Sequence, residues 1–301
     1  MPEASGSVRY RARHVTTYVY EDAVGSGHQL VHLAPRSLPH QRVVGCRLDV
    51  QPVPAVWSPR QDYFGNEMVQ FTIETRHSEL IIEAECEVEL IATVRPAGDG
   101  APWEQVRDRL ETADAATVSA HEFLFDSMLV PTSVELARYA EPSFPPGRPI
   151  VAALVDLNRR INTDFTFDPQ ATTLTTPIAE VLENRRGVCQ DFAHLMIGCL
   201  RSIGLAARYV SGYLRTLPPP GKPRLVGADA SHAWLAAWIG DAWLDLDPTN
   251  NCLPSLDHIT LAWGRDYDDV APVRGIIAGG GAHTLSVAVD VLPLDGTSQP
   301  I

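Results

Sequence analysis

No stretch of the 301 residues approaches the roughly 18 consecutive apolar positions that cross a bilayer. The first residues, MPEASGSVRYRAR, carry charge without the apolar run of a secretory signal. A soluble protein with no membrane partner is expected. Basic charge is in short supply: 24 Lys and Arg face 37 Asp and Glu, a formal net charge of −13, which argues against nucleic acid as a partner. Cysteine occurs five times (Cys46, Cys86, Cys189, Cys199, Cys252), an odd number with no C-x-x-C spacing. Neither a disulfide framework nor a thiolate zinc site is suggested, and a reducing, cytoplasmic compartment is expected. No internal repeat is visible. Pro218-Pro219-Pro220 and Gly279-Gly280-Gly281 are short enough to be loops.

What is present is apolar material for a packed interior, 45% hydrophobic against 20% charged residues, in a chain long enough for two compact domains. Ile82, Ala84, Cys86, Val88 and Leu90 alternate with Glu83, Glu85, Glu87 and Glu89, the period of a half-buried strand. Weaker alternation recurs around Val15 to Val19, Val44 to Val50 and Val69 to Ile73, so residues 1–95 read as a small antiparallel β domain. Residues 96–148, opened by PAGDGAP and closed by EPSFPPGRP, read as a partly helical connector. A catalytic core with a C-terminal strand tail is expected over 149–293. Val151, Leu154, Val155, Asn158 and Ile161 suggest an amphipathic helix, and Thr176-Pro177 the N-cap and first residue of another. The longest helix follows Cys189, with Phe192, Leu195, Met196, Cys199, Leu200 and Ile203 on one face and Gly204 closing it. Strands are expected at 207–214, 233–239, 242–246 and 285–292. The fold class is therefore α+β.

Cys189 stands where unpaired backbone N–H groups and the helix dipole favour negative charge. Downstream, Gly240-Asp241 separates two apolar runs and suggests a hairpin. If Ile239 pairs with Ala242, Trp234 lies opposite Asp247 and His232 is the diagonal neighbour of Asp247. Diagonal Cβ atoms are about 7 Å apart, within reach of an imidazole and a carboxylate. A thiol at a helix start, an imidazole to take its proton and a carboxylate to fix the tautomer form a nucleophile, base and orienter for acyl transfer through a thioester.

These residues resemble a known family. Gly187-Val188-Cys189-Gln190-Asp191-Phe192-Ala193-His194, His232-Ala233-Trp234 and Asp245-Leu246-Asp247-Pro248-Thr249 are similar to the three catalytic motifs of the transglutaminase-like superfamily, whose fold is papain-like. HVTTYVYEDAV (14–24), HLAPR (32–36), DYFGNEMVQFTI (62–73), GRDYDDVAPVRG (264–275) and GGGAHTLSVAV (279–289) resemble the N-terminal region and tail of bacterial transglutaminase-like proteins. The resemblance implies Cys189 as nucleophile, His232 as general base and acid, and Asp247 as the orienting residue, acting on peptide or protein amides. It leaves open whether water or an amine resolves the thioester. Family members also include catalytically inactive scaffolds, the rival reading.

Other residues carry weaker expectations. Trp234 shares the face of His232 and Asp247 and is a candidate wall of the acyl site, and Arg265 a candidate contact for an acidic substrate group. His194, about 140° around the helix from Cys189, is read as structural. Asp191 is read as a first-turn carboxylate facing away. Asp266, Asp268 and Asp269 match no EF-hand spacing and read as a solvated acidic loop, so calcium-independent activity is expected. The triple glycine lacks phosphate-cradle spacing. No cofactor or metal is expected, the second oxyanion donor has no address in the sequence, and the oligomeric state is not legible.

Overall fold

The alternating segment forms β5 (His77–Ile91), whose apolar side chains are buried. Its glutamates are not simply wet. They face arginines of β1 (Ser7–Val31), and Arg9, Arg11 and Arg13 reach diagonally to Glu87, Glu85 and Glu83. The computed structural model describes residues 6–92, 100–112, 117–216 and 230–294; the Pro218 to Pro220 run lies outside them.

β2 (Gln41–Gln51), β3 (Val56–Gln61) and β4 (Glu67–Ile73) complete the N-terminal meander, in the order β2-β5-β1-β4-β3. β1 is the spine of this sheet. Its first half lies between β5 and a C-terminal strand, its second between β4 and another C-terminal strand. Cys46 and Cys86 sit opposite one another on β2 and β5, with Cα atoms 4.0 Å apart, and form a disulfide. This corrects the expectation of unpaired cysteines and removes the cysteine argument for a reducing compartment. Pairing was set by cross-strand register, which cysteine spacing does not reveal.

The segment read as a connector is core. Its helices α1 (Trp103–Glu111), α2 (Val118–His121) and α3 (Val134–Ala140) bury Val106, Leu110, Ala120 and Leu136 in the same cluster as the central helix. Next come α4 (Ile150–Asp164), β6 (Thr166–Phe167), α5 (Ile178–Asn184) and β7 (Arg186–Gly187). α5 begins one residue later than expected, with Pro177 in the extended cap position.

The helix predicted after Cys189 is α6 (Cys189–Ser202), buried continuously from Gln190 to Arg201. It packs on a four-stranded antiparallel sheet ordered β10-β9-β8-β11. These strands are β8 (Ala207–Leu214), β9 (Ala230–Trp238), β10 (Trp243–Leu246) and β11 (His258–Gly264). α7 (Tyr267–Val270) leads to β12 (Val273–Gly279) and β13 (His283–Pro293), which leave this sheet and pair with β1. The α+β expectation holds, but the C-terminal tail belongs to the N-terminal sheet. Tyr10, Ala12, Val88 and Leu90 of that sheet join the main core, so the two sheets share one interior.

Candidate active site

Entry into α6 is fixed by Asp191. One of its carboxylate oxygens accepts from the Val188 N–H at 2.8 Å and from the Thr172 hydroxyl at 2.6 Å. A Cβ on Gly187 would lie 2.7 Å from that same oxygen, so only glycine fits there. Val188 is extended, and the chain turns into the helix at Cys189 with the thiol half-buried. Burial raises the Asp191 pKa, and the bonds from Thr172 and Val188 oppose the rise.

The β9–β10 hairpin has the expected register, with Trp243 opposite Trp238 and Leu246 opposite Leu235, closed by Ile239 N–H to Ala242 C=O at 2.9 Å. His232 Nε2 lies 2.8 Å from Asp247 Oδ2, and Cys189 and His232 line the same cavity. Burial would lower the His232 pKa, but the bond to Asp247 and the influence of nearby Cys189 outweigh it and push the value up to about 9. Asp247 is 0% exposed, and burial alone would favour its neutral form. Bonds from His232, His258 and Asn250 reverse that and hold its carboxyl below the usual carboxylate range. An ionised carboxylate only accepts, so Nε2 of His232 must carry its proton toward Asp247. In neutral His232 this leaves the Nδ1 lone pair for the thiol.

Two supports of Asp247 escaped the sequence reading. Asn250 donates its side-chain amide to Oδ2 at 2.7 Å and its backbone N–H to Oδ1, and His258 Nε2 reaches Oδ2 at 3.2 Å. Asn250 follows the Asp-Pro-Thr turn and could have been suspected. His258 arrives on β11, a strand the apolar pattern did not reveal. His232, Asp247 and His258 offer ligand atoms within 4.8 Å of one another, a set of the kind that holds zinc.

Trp234 does not wall the thiol. It is fully buried, packs its ring beside His232 and His258 at centroid distances of 6.0 and 5.3 Å, and bonds Asp245. It lines a neighbouring cavity of about 290 Å³ with Asp245 and His258. Arg265 is also elsewhere. Its guanidinium makes two bonds to Asp269, one turn on, and it is absent from the Cys189 cavity. The acidic loop is likewise corrected: Asp266 is buried, caps α7 and accepts from Leu129 N–H, while Asp268 pairs with Arg274. His194 is structural, accepting from Tyr267 N–H at 3.1 Å, and burial pushes its pKa down to about 4.

Cys189 and His232 open on a cavity of about 300 Å³. β8 contributes Tyr209, β1 contributes His14, Thr16 and Tyr18, and β13 contributes Leu285 and Val287. None of the described residues lining it is Asp, Glu, Lys or Arg. Burial raises the Tyr209 pKa, and the nearby Cys189 charge adds to the rise, so the phenol stays a donor.

Comparison with known proteins agrees with this architecture. Residues 10–89 match the bacterial transglutaminase-like N-terminal region and residues 141–248 the transglutaminase-like superfamily. An uncharacterized protein of Mycobacterium bovis is 43% identical over 97% of this chain and 95% of its own length. A protein-glutamine gamma-glutamyltransferase of Pseudomonas aeruginosa is 34% identical over 35% of this chain and 16% of its own length. A crystal structure from Cytophaga hutchinsonii, assigned as a cysteine protease, superposes with a TM-score of 0.77 at 20% identity, covering 98% of this chain and 94% of its own. The shared fold is the papain-like one. With both regions matched and a near full-length relative, the chain belongs to the transglutaminase-like superfamily and carries the bacterial N-terminal region of that family.

Proposed function

We propose that the protein is a cysteine-dependent acyl-transfer enzyme acting on peptide or protein amide bonds through a thioester on Cys189. The observation that carries this reading is the buried imidazole of His232, bonded to Asp247 and opening with Cys189 on one cavity. His232, its pKa raised to about 9, carries the proton given up by the thiol while sulfur attacks the amide carbonyl carbon. The tetrahedral oxyanion is met by the Cys189 N–H and the Tyr209 phenol. Collapse breaks the C–N bond, and the imidazolium returns its proton to the leaving amine. Water or a primary amine then attacks the thioester, His232 takes the proton of that nucleophile, and sulfur leaves with it as the free thiol.

The cavity favours an uncharged acyl group, because none of its described lining residues offers a permanent charge to pair with an ionic one. Cys199 and Cys252 are poor rivals to Cys189. Burial pushes their thiols up to about 12 and about 11.

The test is trapping. Incubating the protein with peptide libraries, with and without a primary amine, should give a Cys189-linked acyl adduct by mass, followed by an amine adduct for transamidation or a free acid for hydrolysis. Cys189→Ala should lower turnover by about 10³-fold or more. Retention of full turnover in that variant refutes the reading, and a Cys189 no more reactive to iodoacetamide than Cys252 favours the inactive scaffold.

A further inference from the structure

β13 is an edge strand. On one side it pairs with β1 from Tyr10/Pro293 to Tyr20/His283, and among the described residues no strand pairs with its other side. The hydrogen-bond parity follows from two bonds at the ends of the ladder. Leu294 N–H donates to Arg9 C=O and Glu21 N–H to Ala282 C=O, both at 2.8 Å. In an antiparallel pair, residues that exchange bonds recur every second position. Thr284, Ser286 and Ala288 therefore turn their backbone groups to β1. Leu285 and Val287 turn theirs outward, to the open edge.

The same two residues line the Cys189 cavity with their side chains, opposite Tyr18 and Thr16 of β1. Along this face exposure climbs from 1% at Val289, where β13 meets the core, to 49% at Val287 and 54% at Leu285. Two of the other edges of the sheet are guarded. β2 carries Arg42, Arg47, Asp49 and a bulge between Val43 and Gly45, and β3 carries Pro59 and Arg60. Residues 283–288, HTLSVA, hold neither Lys, Arg, Asp and Glu nor proline. An unguarded apolar edge is a template for another strand, and this one runs into the proposed acyl site.

We propose that the open edge of β13, at Leu285 and Val287, takes an extended, uncharged peptide as an added strand and so lays the acyl donor along the Cys189 cavity. Main-chain bonds to those two residues would hold the peptide in register. Alternate side chains would enter the cavity beside Val287 and Thr16. The proposal rests on the Cys189 reading for its substrate role, but its binding step needs no acyl transfer.

The test uses the Cys189→Ala protein and a short fluorescein-labelled peptide alternating Val with Ser around a central Gln, read by anisotropy. N-methylation of one alternating set of peptide amides should weaken binding about tenfold or more, while methylation of the intervening set should change it less than about twofold. Val287→Pro removes an outward N–H without touching the β1 ladder and should weaken binding to a similar extent. If that variant misfolds, the peptide series on the parent protein still decides. No binding, or equal sensitivity of both amide sets, overturns the proposal. So does a dimer in sedimentation that excludes the peptide, which would give the edge to a second copy of the chain. Absence of turnover by the wild-type protein alongside the alternating pattern would instead sink only the catalytic reading.

Discussion

The Asp247 carboxylate accepts five hydrogen bonds, from His232, His258, the Asn250 side chain and the backbone of Thr249 and Asn250. Its ionised state fixes the tautomer of His232, so the proposed base is already oriented in the structure. The buried histidines also set opposite pH slopes for stability. His232, raised from 6.5 to about 9, contributes stability that is full below pH 6.5 and is lost as pH rises through about 9. His14, lowered by burial to about 4, must stay neutral, so its contribution is full above pH 6.5 and is lost as pH falls through about 4. Melting temperature should therefore peak near pH 6.5. His14→Gln should flatten the acid limb and His232→Gln the alkaline limb, each by on the order of 2 kcal/mol. A profile unchanged in both variants contradicts this. Tyr209→Phe removes only the phenolic donor and should lower kcat roughly 10- to 100-fold with little change in KM, as steady-state kinetics on the trapped substrate would show. At this scale the meeting of Cys189, His232 and Asp247 was readable because each sits on a local signal: a helix start, a hairpin and an Asp-Pro turn. Arg265 and Trp234 were misplaced because their partners, Asp269 and the His258 ring, are fixed by packing that spacing does not encode.

At the level of elements, β8 and β9 hold His232 against the helix. Gly212 on β8 lies opposite His232, and a Cβ there would sit 2.2 Å from the Ile259 carbonyl oxygen and 2.4 Å from the Trp234 ring. Neither neighbour can yield cheaply. Ile259 is ladder backbone, and Trp234 is wedged beside His232. Gly212→Ala should cost about 3 kcal/mol in denaturant unfolding and reduce activity with it. Unaltered stability would show that Trp234 is free to move. The hairpin register was legible because Gly240-Asp241 and flanking apolar runs are contiguous in sequence. β11 was not, since HITLAWG is short and buried on both faces, without alternation to mark it.

Across the whole molecule, two compact domains were expected and a shared interior is found. Nothing in residues 96–148 announces core: the helices are short and broken by turns, and only the folded chain reveals that Leu110 and Leu136 share one core cluster with α6. The return of β12 and β13 to β1 was illegible for a related reason, because the partners lie at opposite ends of the sequence. Removing residues 273–294 should therefore do more than trim a tail. It strips Val289 and Val291 from the core and leaves β1 half paired, and the shortened chain should lose its cooperative thermal transition by circular dichroism. A sharp transition would restore the picture of a separable tail.

The long strand β1 also sets a clock. Synthesis proceeds at roughly 5–20 residues per second, so tens of seconds separate the emergence of β1 from that of β13 on the ribosome. Until residues 283–293 emerge, Thr16 and Tyr18 lack the strand that closes their side of the Cys189 cavity. Through that interval the nascent chain carries Cys189 without the finished cleft around it.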